Sequence, residues 1–186
     1  MNKSTESTKT ERDMQKTNGK SSATKAKFMT RNDMDLDTRQ KVIGLLNLHL
    51  ACTFDLMSQT KQAHWNVKGP HFIGLHELFD SLAEKLEKHI DTIAERVTTL
   101  GGVAMGTVRM AAGASTLEEY PADIVGGKDH VEALSKRYST LGKTLRKGID
   151  QTDDWGDADS ADMLTDVSRD VDLSLWFLEA HLQADN

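Results

Sequence analysis

Four side chains along one stretch of the chain have the types and spacing of metal ligands. His76 and Asp80 stand four residues apart, and Asp91 and Glu95 repeat the interval. Residues at i and i+4 share a helix face, so each pair is a half-chelate. With His76 at 0°, Asp80 falls at about 40°, Asp91 at about 60° and Glu95 at about 100°, whereas the apolar residues of the same stretch fall between about 240° and 320°. The four therefore share a face that is not the core face. Asp80 and Asp91 are 11 residues apart, which is roughly 16 Å along a helix. Metal–ligand bonds of ~2 Å cannot span that gap within one helix. Two copies of the helix, paired antiparallel about a two-fold axis, bring the first half-site of one chain against the second half-site of the other and create two equivalent sites per dimer. Mixed imidazole and carboxylate ligands suit iron or zinc better than magnesium or calcium, and iron redox chemistry is the leading option. The competing reading is an ordinary solvated face that also carries Lys85, Glu87 and Lys88.

The elements that must position these groups are helices. Apolar Phe72, Leu75, Phe79, Leu82, Leu86, Ile90, Ile93, Val97 and Leu100 step by three or four until Gly101-Gly102, the pattern of an amphipathic helix with a glycine stop. Before it, Val42, Ile43, Leu46, Leu50, Phe54 and Met57 predict a helix capped by Asp35 or Asp37 and running to about Trp65, ahead of Gly69-Pro70. A third stripe runs from Val131 to Ile149 and a fourth from Leu164 to Leu182. The long connection from Gly101 to Pro121, with a short helix expected near Val108–Ala112, lets the third helix run parallel to the second. The fold class predicted is all-α, a ferritin-like four-helix bundle with a long crossover between the second and third helices.

Composition agrees. Among 186 residues there are two prolines and one cysteine, Cys52, so no intrachain disulfide forms and a reducing, cytoplasmic address is expected. No secretory apolar run or membrane-spanning segment is read from the sequence, and no membrane partner is expected. Net charge is −6, yet residues 1–30 carry seven basic groups against three acids. That segment is read as a disordered basic tail, poor in apolar groups, and residues 31–186 as the acidic bundle.

The run Lys61-Gln62-Ala63-His64-Trp65-Asn66, then Pro70-His71-Phe72-Ile73, His76-Glu77, Asp80 and His89-Ile90-Asp91-Thr92-Ile93-Ala94-Glu95-Arg96 resembles the Dps family of mini-ferritins. Thr30-Arg31-Asn32-Asp33, Tyr120-Pro121-Ala122-Asp123-Ile124, Ser168-Arg169-Asp170 and Trp176-Phe177 extend the resemblance over about residues 28 to 182. The resemblance implies a hollow dodecameric shell that oxidises Fe(II), with hydrogen peroxide as oxidant, and stores ferric mineral. It implies a ferroxidase centre at a dimer interface, with His64, His76 and Asp80 of one subunit and Asp91 and Glu95 of the other as iron ligands. Trp65 matches a tryptophan beside that centre, as electron donor or water contact; an aromatic helix-end anchor is the alternative.

Of the other histidines, His49, His71, His130 and His181 are read as structural, and His89, at about 220°, as a packed or interface residue. Asp150, Asp153, Asp154, Asp157, Asp159 and Asp162 crowd the junction of the last two helices. They suggest a cation pore, which the resemblance favours, or stabilisation of a helix N-terminus. Trp155 has no role legible in the sequence. Lys3, Lys9, Arg12, Lys16, Lys20, Lys25 and Lys27 of the tail are candidates for non-specific DNA phosphate contacts, multiplied by the shell, and a nucleoid-associated location follows. Glu6, Glu11 and Asp13 interrupt that charge, and a merely solubilising tail is the alternative. A second function is a nucleoid-compacting protein whose iron site is secondary. An intrachain di-iron bundle would need inward Glu-x-x-His motifs, and the sequence contains none.

Overall fold

The computed structural model describes residues 25–184 and contains five helices: α1 Leu36–Asn66, α2 Phe72–Thr99, α3 Val108–Ala114, α4 Gly127–Asp154 and α5 Ala158–Glu179. α1 begins where the Asp35 carboxylate accepts from the Thr38 backbone N–H at 3.0 Å and from its hydroxyl at 2.7 Å. These bonds satisfy one of the orphan donors of the first turn. The α1–α2 turn uses Gly69 at φ 117° and α2 ends at Gly101 with φ 84°, conformations that glycine adopts without a Cβ clash. A Cβ at Gly101 would also strike the Phe28 carbonyl oxygen.

The Gly101 carbonyl accepts from the backbone N–H groups of Lys27 and Phe28 at 2.8 and 2.9 Å. Lys27 and Phe28, placed in the tail by composition, are thus bonded to the end of α2. Lone glycine and lysine residues gave no periodic signal for this contact.

α1 packs along α2, and α4 along α5. A parallel bridge joins Lys68 to Gly126, with the Lys68 N–H donating to the Val125 carbonyl at 3.1 Å. That bridge puts the start of α4 beside the turn from which α2 starts, so α2 and α4 run parallel and residues 100–126 cross the length of the bundle. α1 holds this crossover with polar side chains. Asn47 Nδ2 donates to the Val103 carbonyl at 3.1 Å while its Oδ1 accepts from the Met105 N–H at 2.9 Å. Gln59 Nε2 donates to the Glu118 carbonyl at 3.0 Å, and the Ser115 hydroxyl donates to Asp55 at 2.6 Å.

The core lies between the two hairpins, with Ile43, Leu46, Leu50 and Leu56 from α1 meeting Phe79, Leu82, Leu86 and Ile93 from α2, Leu134, Tyr138 and Leu141 from α4, and Leu164, Val171 and Leu178 from α5. Burying each large apolar side chain contributes roughly 1.5–3 kcal/mol. Leu56 is fully buried whereas Phe54 and Met57 are only half-buried, because α1 touches α2, α3 and α4 and its buried arc is wider than a single stripe. Trp155 finds its role here: it is the C-cap residue of α4 and packs partly against the core.

Candidate metal half-sites on two helices

His64 lies in the last turn of α1 and His76 in the second turn of α2, held face to face by the α1–α2 hairpin. His64 Nδ1 lies 2.7 Å from the His76 carbonyl oxygen, and His76 Nδ1 lies 2.9 Å from the His64 carbonyl oxygen. A carbonyl only accepts, so each Nδ1 carries a proton, which leaves Nε2 as the nitrogen whose lone pair can meet a metal. The rings stack with centroids 3.8 Å apart. Two metal-competent nitrogens are thus fixed in tautomer and direction, the arrangement that outer hydrogen bonds give to ligating histidines. The His64 carbonyl is also one of the last four of α1, which have no partner inside the helix.

Asp80 follows one turn after His76. Its Oδ1 lies 4.0 Å from His64 Nε2 and accepts a hydrogen bond from Lys61 Nζ. The Lys61 hydrogen bond holds the Asp80 carboxyl below the ordinary carboxylate range, with lesser contributions from the Lys61 charge and the two imidazoles. Asp80 is therefore an ionised acceptor at neutral pH. Lys61 was quoted in the sequence only as part of a motif; its position three residues before His64, on the same helix face, is the signal that could have marked it.

The structure brings His64, His76 and Asp80 together and leaves Asp91 and Glu95 three to four turns further along α2, both exposed. Among the described residues no three His, Cys, Asp or Glu side chains of the single chain converge on one metal position. The donor set fits a transition metal in kind, two imidazoles and carboxylates. Trp65 is 65% exposed, so it buries little surface as a helix-end anchor within its own chain. Phe72, read as a core residue, is 43% exposed and instead leans on His76 with ring centroids 5.1 Å apart.

The remaining candidates separate clearly. His89 is buried and its Nε2 meets Asp170 at 2.8 Å, a packed histidine as expected. His49 and His130 are buried, whereas His71 and His181 are exposed. Asp157 is buried as the N-cap of α5: it accepts from the Ser160 N–H at 3.0 Å and pairs with Arg96 Nη2 at 2.6 Å. Asp150, Asp153, Asp154, Asp159 and Asp162 stay exposed around the α4–α5 turn. Of the basic tail, Lys25 and Lys27 are described and exposed, while Lys3, Lys9, Arg12, Lys16 and Lys20 lie outside the described residues. No described helix is long and apolar enough to cross a membrane.

Over residues 43–186 the chain matches the ferritin-like domain family. It is 49% identical over 154 residues to the DNA protection during starvation protein of Agrobacterium fabrum, covering 83% of this chain and 95% of that protein. Among solved structures, the Dps of Mycobacterium smegmatis matches with a TM-score of 0.80 at 31% identity, covering 84% of this chain and 94% of that one. The Dps protein of Vibrio cholerae O1, described as a member of a broad superfamily of ferritin-like diiron-carboxylate proteins, matches with a TM-score of 0.78 at 26% identity over 83% of this chain and 97% of that one. With two antiparallel helix hairpins joined by a crossover and these likenesses along most of its length, the chain belongs to the Dps family of ferritin-like proteins.

Proposed function

We propose that this protein is a ferroxidase and iron store that works as a hollow homo-oligomer, a dodecamer, with each oxidation centre shared by two subunits. Fe(II) is the substrate, bound by His64, His76 and Asp80 of one subunit and by Asp91 and Glu95 of its two-fold neighbour. The observation that carries this reading is the reciprocal His64–His76 bond pair, which aims two Nε2 lone pairs beside an ionised carboxylate at one end of α2 while two free carboxylates stand at the other. The diiron-carboxylate description of the Vibrio relative supports iron as the metal.

Hydrogen peroxide as oxidant takes one electron from each of two ferrous ions and, with two protons, leaves as water. The carboxylates favour the ferric product electrostatically, and the few ligands per subunit hold it weakly enough to move on into a mineral core. Trp65 takes its place at the interface, as electron donor or as contact for a bound water. The exposed aspartates of the α4–α5 turn line a path for cations. The basic N-terminal segment binds DNA without sequence preference in a cytoplasmic, nucleoid-associated particle, a role the name of the Agrobacterium relative supports.

The shared centre is tested by complementation. Variants carrying His76→Ala with Asp80→Ala, or Asp91→Ala with Glu95→Ala, each oxidise iron poorly as homo-oligomers. Refolded together as verified mixed dimers, they regain up to about half of the wild-type sites, because one of the two sites at the interface receives both intact halves. Mixed dimers no more active than the separate variants would sink the inter-subunit centre. Deleting residues 1–24 tests the second role: DNA retention, which should fall steeply with salt in the intact particle, is lost while assembly and iron oxidation remain. Unchanged retention removes the segment from DNA binding.

A further inference from the structure

Arg137 on α4 is the one lysine or arginine that is buried among the described residues, 6% exposed, and none of the described carboxylates pairs with it. Its Nη1 donates to the Ala133 carbonyl at 2.8 Å and its Nη2 to the Glu119 carbonyl at 2.5 Å, while Nε has no partner. The Tyr120 ring lies 5.5 Å from the guanidinium. Carbonyls and a ring face solvate a cation without neutralising it, and an unneutralised buried charge is costly unless an anion joins it. Beside it, the Ser135 hydroxyl is buried and also unpartnered.

Both residues help to wall a cavity of about 560 Å³ between the crossover, α4 and the end of α5. Lys136, Ser139 and Thr140 line it from the same stretch of α4, at i, i+3 and i+4 and hence on one helix face. They add an ammonium and the Ser139 hydroxyl to the guanidinium, the Thr140 hydroxyl being spent on the Lys136 carbonyl at 2.8 Å, and a χ1 rotation presents the Ser135 hydroxyl as well. Glu118 and Glu179 line the same space. Carboxylates repel a fully ionised anion but accept a hydrogen bond from one that still carries a proton. At neutral pH inorganic phosphate keeps such a proton, whereas phosphomonoesters, with a second pKa of about 6, have mostly lost it, and sulfate and the diesters of a DNA backbone carry none.

We propose that the cavity between the crossover, α4 and the end of α5 binds a protonated phosphate group, with Arg137 and Lys136 supplying charge, the Ser135 and Ser139 hydroxyls donating, and Glu118 or Glu179 accepting the phosphate's own proton. The site goes beyond the iron and DNA reading above and does not depend on it.

Titration calorimetry of the intact full-length particle at fixed ionic strength tests it, with phosphate, sulfate and ribose 5-phosphate as separate arms. Phosphate binds saturably and sulfate roughly tenfold or more weakly. Lys136→Ala with Ser139→Ala weakens phosphate by on the order of tenfold, and the exposed single change Lys136→Gln provides the same reading should the pair misfold. Glu118→Gln with Glu179→Gln brings sulfate towards parity with phosphate. Ribose 5-phosphate, most of which has lost that proton, binds more weakly than phosphate, and tighter binding of the ester overturns the proposal. Absence of saturable phosphate binding, equal binding of sulfate by the unaltered protein, or a carboxylate of a neighbouring subunit seated on Arg137 in the assembled particle overturns the proposal.

Discussion

The two ends of α2 carry the two kinds of half-site from which each proposed shared centre is built, and they are prepared differently. At the N-terminal end both imidazoles are held through Nδ1 by backbone carbonyls and Asp80 is held by Lys61. At the C-terminal end Asp91 and Glu95 stand exposed. The contrast follows from ligand chemistry. An imidazole has one lone pair and two tautomers, so its direction and protonation must be set before a metal arrives. An ionised carboxylate is an acceptor on both oxygens in any rotamer, and it can wait for a neighbouring subunit to define the geometry.

The largest expected effect is at the prepared half. His64→Ala or His76→Ala should lower the rate of iron oxidation by on the order of 100-fold, since each removes a proposed ligand together with its stacking against the other ring. Asp91→Asn, which keeps shape and loses charge, should cost less, roughly tenfold. Stopped-flow oxidation of Fe(II) ranks the two, and an Asp91→Asn loss as large as that of either histidine would remove the distinction between the halves.

Acid sharpens the comparison, because imidazoles also titrate away from the site. His49 is buried in α1, neither ring nitrogen has a partner, and burial lowers its pKa from 6.5 to about 4. The folded state therefore resists a proton that the unfolded state accepts. His49 contributes no penalty above pH 6.5; as the pH falls from 6.5 towards 4 folding loses about 3 kcal/mol. His49→Leu should flatten the stability profile across that window, read by denaturant unfolding of verified particles. An unchanged slope would locate acid sensitivity elsewhere than in this core histidine.

The smallest effect is at Lys61. Lys61→Met should raise the Asp80 titration from its lowered position towards 3.8, followed by carboxyl NMR. Because this pair is partly exposed, the melting temperature should scarcely move. A large drop in melting temperature would mean that Lys61 serves the hairpin rather than the carboxylate.

Much of this was legible before the structure. The α2 stripe, the Asp35 cap and the crossover each follow from a local pattern of one residue type. The half-site spacing was legible too, because rise per residue is fixed. What escaped was carried by polar groups whose partners are distant in sequence: Asn47 and Gln59 reaching the crossover, Asp157 spent on Arg96 and Ser160, and residues 27 and 28 meeting Gly101. Periodicity reports which face is apolar. It is silent about which buried polar atom meets which carbonyl, and the reciprocal bonds of His64 and His76 are of that kind.

Those two bonds join the half-site to the hairpin. The His76 Nδ1–H that presets a ligand is also the donor to the His64 carbonyl at the C-terminal end of α1. A ring that loses this donor leaves that carbonyl bare and loosens the end of the helix. Replacing His76 with a residue that lacks this donor would thus fray the hairpin, and amide exchange near Trp65 and Asn66 would register it before the fold came apart.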